Sequence, residues 1–314
     1  MIRVLRKGER YTQKLESLSE ADDLQEAIWI DLQDPTPTQV AEVETRFLVN
    51  FMSEQEQTEI ETSSRYVETS ERIIANSNFL QTEGSEFRNY PVSFLLKNQV
   101  LFTYRDSDLR SFADTVRKIK QLSSFSHNGA QVMLSLFESR IDLDADMIEH
   151  ISREIASLSK GLGINKRVNE DVLLRISEFQ ELTMALRENI FDKQRVVSAM
   201  LRSDKFEASE QDKLRIIIKD VNSLLEHTAF NFERLEYLQD TFLGLINIEQ
   251  NKIIKIFTLV SVIFMPPTLI ASIYGMNFRM MPELNWEDGY PFAIGLMILS
   301  SATTLFIFRR KGWL

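Results

Sequence analysis

Tyr274-Gly275-Met276-Asn277-Phe278 stands at the end of one long hydrophobic segment and just ahead of a second. Working back from it, Ile253 to Ile273 is a 21-residue run whose only charge is Lys255. That is long enough to cross a bilayer as a helix at about 1.5 Å per residue. Working forward, a short polar loop leads to Tyr290–Phe308, 19 residues with no charge. The architecture implied is two C-terminal spans joined by a hairpin loop, with a large water-soluble remainder.

The soluble remainder reads as α+β at first and helical later. Ile2–Leu5 and Thr12–Leu15 flank a Gly8 turn, and Ala27–Leu32, containing Trp29, reads as a buried strand. Thr36-Pro37 supplies an N-cap and a proline at the first helical position for a helix toward Leu48. Ser53 with Glu56 repeats the start signal. Ile73–Leu80, Val92–Lys97 and Val100–Arg105 are strands, the last two joined by a tight Asn98-Gln99 hairpin. From Ala130, apolar residues recur at three and four from Met133 to Leu158 and give an amphipathic helix ending at Gly161 and Gly163. A second helix is expected over Asn169–Leu201. A third begins at Ser209 and meets no obvious stop before the membrane. A stalk helix entering the bilayer explains that length; a break near Gly244 would instead make two helices. The divisions expected are 1–125 (α/β domain), 126–208 (helical hairpin), 209–276 (stalk continuous with the first span), 277–289 (outer loop), 290–309 (second span) and 310–314 (basic tail).

Composition narrows the chemistry. The chain has no cysteine and only three histidines, which excludes disulfides and removes the usual zinc ligands. Oxygen ligands remain, and these suit a hard cation such as magnesium. Beyond residue 250 stand three acids (Glu283, Glu287, Asp288) and six bases (Lys252, Lys255, Arg279, Arg309, Arg310, Lys311), leaving 43 acidic against 30 basic residues upstream. That acidic remainder argues against nucleic acid as a partner and for cations, although ordinary solubilising charge accounts for much of it. No basic, apolar leader opens the chain, so the soluble part is expected to stay in the cytoplasm. None of the ten glycines has the spacing of a phosphate loop, so transport is expected to be passive, without an organic cofactor. No nucleophile, base and orienting group cluster in a recognisable motif, so no enzyme is expected.

Counting back from Gly275 by alternating threes and fours gives Ser272, Thr268, Met265, Ser261, Thr258, Ile254, Asn251, Asn247, Gly244 and Asp240. This stripe collects all four hydroxyls of the first span. A packing seam between lipid-embedded helices favours the same small and hydroxyl residues, so both readings are open on composition. Two features point to a pore wall. The stripe continues as a heptad into the stalk, which calls for several copies around one axis. Hydroxyl-lined stretches also alternate with apolar positions at Met265 and Ile254, the latter backed by Phe257, and apolar constrictions can gate by dewetting. Pro266-Pro267 withdraws backbone donors inside the span, as membrane helices tolerate when neighbours re-satisfy the carbonyls.

Gly275-Met276-Asn277 directly after a span, then Met281-Pro282-Glu283-Leu284, a second span and Arg309-Arg310-Lys311-Gly312-Trp313-Leu314 together resemble the CorA family of divalent-metal channels, in its proteobacterial branch. Ile246–Lys255 is similar too, and Trp29-Ile30-Asp31-Leu32 and Tyr90-Pro91-Val92-Ser93-Phe94 echo the family's soluble domain. The resemblance implies a homopentamer that passes Mg2+, with Co2+ and Ni2+ as further cargo, recognising hydrated ions at a Gly275-Met276-Asn277 ring. It also implies that metal bound between cytoplasmic domains holds the channel closed. Asp220 resembles a family position on the stalk, and Asp240 falls on the stripe where a carboxylate ring would face the inner entrance with Asn247. Basic residues flanking both spans place the termini in the cytoplasm of an inner-membrane protein. Glu283, Glu287 and Asp288 would then face outside and could raise local cation concentration at the mouth. A zinc transporter of the same superfamily and a non-conducting, membrane-anchored sensor are the competing readings.

Overall fold

The computed structural model describes residues 1–20, 24–51, 65–83, 86–121, 128–164, 170–277 and 281–312. The chain divides into two compact units, Met1–Gln239 and Asp240–Leu314. This is a coarser partition than the six segments expected from sequence, with one boundary inside the long helix.

The first unit is built on a seven-stranded sheet in the order β2-β1-β3-β7-β6-β5-β4. Its strands are β1 (Ile2–Arg6), β2 (Gln13–Leu15), β3 (Ala27–Gln33), β4 (Tyr66–Glu68), β5 (Arg72–Glu83), β6 (Glu86–Lys97) and β7 (Val100–Arg105). Only β3 and β7 run parallel; every other neighbouring pair is antiparallel. Asn98 and Gln99 join β6 to β7 with φ of 49° and 65°, the left-handed pair that a two-residue hairpin requires. Helix α1 (Pro37–Phe47) opens on a capping box. The Gln39 N–H donates to Thr36 Oγ1 and the Thr36 N–H donates to Gln39 Oε1.

Both faces of the sheet are covered, because successive strand residues point to opposite sides. Trp29, Ile73, Phe94 and Leu101 join one core, while their neighbours Ile30, Ile74, Leu95 and Phe102 join the other. The second core includes Val43 of α1. The first is covered by α2 (Arg110–Gln121), α3 (Gly129–Ile164) and α4 (Glu170–Leu201). Phe137 of α3 reaches down to Phe79 and Phe94, with ring centroids 6.4 and 5.0 Å away.

Two buried charge clusters tie these layers together. Arg105 forks onto Asp31 at 3.1 and 2.8 Å, and the Thr103 hydroxyl donates to the same carboxylate while accepting from the Trp29 indole. In the second cluster, Asp144 of α3 pairs with Arg140 at 2.6 Å and with Lys193 of α4 at 3.3 Å. Asp192 there accepts from the Ser77 hydroxyl and pairs with Arg65 at 3.1 Å. Burial holds the Lys193 ammonium below its usual range, opposed by the charge of Asp144. Loss of one partner in such a cluster strands a buried charge, so these residues fix how α3 and α4 seat on the sheet.

Helix α5 spans Ala208–Tyr274 in 67 residues, about 100 Å at 1.5 Å per residue. It passes Gly244 unbroken, so the two-helix alternative does not hold. Helix α6 spans Gly289–Arg310.

Several local expectations are corrected. Helix α3 continues through Gly161 and Gly163 to Ile164, because a glycine weakens a helix without terminating it. Helix α5 starts one residue before Ser209, with the Glu207 N–H accepted by Glu210 Oε2 at 2.9 Å. It ends at Tyr274, which leaves Gly275 and Met276 outside the helix that the sequence predicts to include them. Helix α2 and the short strand β4 were not anticipated. The Ser53–Glu56 start signal and Asn169 lie outside the described residues.

Candidate functional site

In the second unit, α5 has one partly covered face. Leu259, Val262, Ile263, Pro266, Pro267, Ile270 and Tyr274 are half-buried, while every position of the oxygen-bearing stripe from Asp240 to Gly275 is exposed. The covering element is α6, whose Ser301 hydroxyl donates to the Ile263 carbonyl at 3.4 Å. At about 100° per residue, the centre of the stripe lies roughly opposite that covered face. Thr258, Ser261, Met265, Thr268 and Ser272 therefore form the edge that α6 leaves open, and Asn251, Ile254, Asn247 and Asp240 continue it. Ile254, Phe257 and Met265 are 61%, 70% and 67% exposed, although no polar group on them favours water.

Proline chemistry explains the contact with α6. Pro267 has no N–H, so the Ile263 carbonyl loses its partner four residues on, and Pro266 does the same to Val262. Ser301 meets the first loss from outside the helix. Nearby, the Thr268 hydroxyl donates to the Phe264 carbonyl at 2.7 Å, which leaves its oxygen lone pairs on the stripe.

Beyond Tyr274 the chain closes a turn, with the Gly275 N–H donating to the Ala271 carbonyl at 2.9 Å and the Met276 N–H to Ile273 at 3.2 Å. A Cβ on Gly275 would stand 3.1 Å from the Ala271 oxygen, so a larger residue fits only if that carbonyl gives by a few tenths of an ångström. Gly275, Met276 and Asn277 are all exposed. The loop resumes as a short 3-10 turn, Pro282–Asn285. Gly289 then passes so close to the Glu283 carbonyl that a Cβ would stand 2.1 Å from it. Glycine is required there for α6 to begin, and the loop holds Glu283, Glu287 and Asp288 exposed around that start.

Carboxylates elsewhere are dispersed. Among the described residues no group of three or more His, Cys, Asp or Glu is gathered as a metal site. Asp220 is exposed in the first unit and borders a small cleft of about 60 Å³ with Glu138, Asp142 and Lys213. Lys118 reaches Asp142 at 3.2 Å and Glu138 at 3.5 Å, so this cleft already carries its own cations. Asp240 is exposed and belongs to the second unit. Sequence reasoning missed Ser301. A proline pair in a span announces orphaned carbonyls, but only the packing of α6 shows that a hydroxyl answers the one on Ile263. It also missed the Arg140–Asp144–Lys193 cluster, which joins residues of two different helices.

The chain is similar to known proteins over nearly its whole length. Residues 25–310 match the family model described as "CorA-like Mg2+ transporter protein". The chain is 39% identical to a magnesium transport protein CorA of Wolinella succinogenes, covering 98% of each chain. It is 34% identical to that of Helicobacter pylori, covering 92% of this chain and 91% of the relative. Its fold is similar to the complete structure of the CorA magnesium transporter from Methanocaldococcus jannaschii, with a TM-score of 0.84 at 20% identity over 100% of this chain and 99% of that one. With two helices long and apolar enough to cross a membrane, a sheet-based first unit and a family match over nearly the whole length, this chain belongs to the CorA family.

Proposed function

We propose that copies of this chain assemble around the open edge of α5 into a passive channel that imports Mg2+, with Co2+ and Ni2+ as secondary cargo. The observation that carries this is the placement of the stripe: the row of hydroxyl groups on the first span faces away from α6. Turned to lipid, a hydroxyl of this row can satisfy its donor only within its own helix, as Thr268 does on Phe264, whereas turned to a shared axis its acceptor lone pairs line water. Self-association is also supported in the first unit, where Ile216, Phe230 and Tyr237 stand exposed on the same helix at multiples of seven residues. Five subunits is the family's number.

In this reading Asn277 contributes one amide oxygen per subunit to an outer ring. Such a ring recognises a hydrated ion by hydrogen bonds and leaves its water in place, which suits magnesium because it sheds water reluctantly. The dispersal of carboxylates within one chain fits a site completed only by neighbouring copies. The carboxylates of Glu283, Glu287 and Asp288 enrich cations at the mouth, while Met265 and Ile254 with Phe257 form apolar constrictions. An inside-negative potential favours entry of a divalent ion by roughly 4.6 kcal/mol per 100 mV, so no chemical energy source is needed. Both termini lie in the cytoplasm of the inner membrane, and Mg2+ bound near Asp220 between subunits serves as the inhibitory ligand.

Flux into proteoliposomes is the test, with Mg2+ compared against Zn2+ in the presence and absence of a proton gradient. Asn277→Ala is expected to reduce Mg2+ uptake by about ten-fold or more, a loss of roughly 1.4 kcal/mol in recognition, with the oligomer intact by size. Wild-type flux no greater than that of empty liposomes would support the non-conducting anchor, unchanged uptake in Asn277→Ala would remove the amide ring as the selecting site, and proton-coupled Zn2+ flux would support the zinc transporter.

A further inference from the structure

The second span carries four hydroxyl residues within five positions: Ser300, Ser301, Thr303 and Thr304. Three of them donate back to their own helix. Ser300 donates to Met297 at 2.8 Å, Thr303 to Leu299 at 2.7 Å and Thr304 to Ser300 at 2.9 Å. Ser301 is different among the described residues, because its hydroxyl crosses to the Ile263 carbonyl of α5 at 3.4 Å. That acceptor is the carbonyl whose intrahelical donor Pro267 removes. Ile263 and Ser301 are both half-buried where the spans meet, so water has limited access to replace the bond.

We infer that Ser301 is a positioning residue for the pore helix: it supplies from α6 the hydrogen bond that Pro267 withdraws from α5, and so fixes the proline pair in register against the second span. The consequence falls on the open edge, since Pro266 and Pro267 sit between Met265 and Thr268, the apolar and hydroxyl positions of the stripe. With Ser301 in place, the weakest point of α5 is held from behind, and the side chains flanking it keep a set orientation toward the axis. Without it, an orphaned carbonyl in an apolar setting draws the helix toward another donor. The inference rests on the proposed channel only for its effect on flux; the packing itself is independent of cargo.

A double-mutant cycle on the full-length protein in detergent and in liposomes tests this. Ser301→Ala is expected to shift the folding equilibrium of the spans by up to about three-fold, the size of an average hydrogen bond between membrane helices, the 3.4 Å contact being longer than the usual hydroxyl bond, and to lower Mg2+ uptake by no more than that factor. Ser301→Thr keeps the hydroxyl and is expected to restore both. In a Pro267→Ala background the backbone N–H regained at that position can close on Ile263 within α5, so Ser301→Ala should there have no effect. An equal effect of Ser301→Ala in both backgrounds, or none in either, overturns the inference. A wild type that carries no Mg2+ at all would sink the channel reading, while the stability arm of the cycle would still decide the role of Ser301.

Discussion

Phe137 and Phe264 are the same side chain on two long helices of one molecule, yet the first is fully buried and the second is 62% exposed. The contrast extends to the units that contain them. In Met1–Gln239, Ile, Leu, Val and Phe gather on both faces of the sheet; in Asp240–Leu314, Ile253, Phe257, Leu269, Ile298 and Phe306 point outward. In water the exposed set would form an apolar patch far beyond what a soluble monomer tolerates. The first unit is thus organised by exclusion of water, and the second by a solvent that is itself apolar, where polar groups rather than apolar ones seek partners. Ser301, Thr268 and the stripe follow that inverted rule.

The comparison is open to attack by substitution. Phe137→Ala removes the ring that packs between Phe79 and Phe94. It is expected to destabilise the first unit by about 3–5 kcal/mol, read as a lowered midpoint in denaturation of the full chain followed by circular dichroism. A loss below about 1 kcal/mol would mean that this core is far looser than its packing indicates. In the second unit the sharper probe is Ile298→Asp, at the middle of α6 and 65% exposed. On a water-facing surface such a change stays within roughly 0.5 kcal/mol. In the bilayer it costs about 2.5–3.5 kcal/mol of insertion free energy, measurable as the fraction of α6 integrated in a translocation assay. Normal integration would erase the distinction between the two units.

The smallest effect concerns pH and belongs to the first unit alone. Tyr66 is half-buried and its hydroxyl donates to Glu68 Oε2 at 2.8 Å. Burial, then the bond to Glu68, raises its pKa well above the usual 10.0. A group raised in the folded state contributes stability that is complete below its unfolded value and is lost as pH climbs past it. Stability of the first unit should therefore fall above about pH 10, and Tyr66→Phe should flatten that part of the curve. Identical alkaline profiles for the two proteins would remove Tyr66 as the cause.

How much of this was legible beforehand follows from the range of the interactions involved. Strand β7, the Asn98-Gln99 turn and the Thr36 cap were readable because each depends on residues within a few positions of one another. Helix α2 carries the same kind of local signal, Phe112, Val116 and Ile119 at four and three residues, but the run is so polar overall that only their setting against the first core makes the element evident. The end of α5 at Tyr274 is not local information of this kind, since Gly275 can either continue a helix or close it, and the tighter closure of the Met276 N–H on Ile273, three residues back, ends the α-helical pattern.

For the site, two spans, the stripe of Ser, Thr and Asn at helical spacing, the Gly275-Met276-Asn277 turn and the family to which these residues point could all be read from the order of the amino acids. Periodicity and covalent chemistry suffice for those, including the two carbonyls that Pro266 and Pro267 must orphan. The packing of the helices was needed to learn which side of α5 is covered by α6, that the stripe lies opposite it, and that Ser301 answers Ile263. Those facts depend on the register between two helices whose facing residues are 38 positions apart, and a helical repeat fixes the angle of a residue about its own axis but carries no information on what stands across from it.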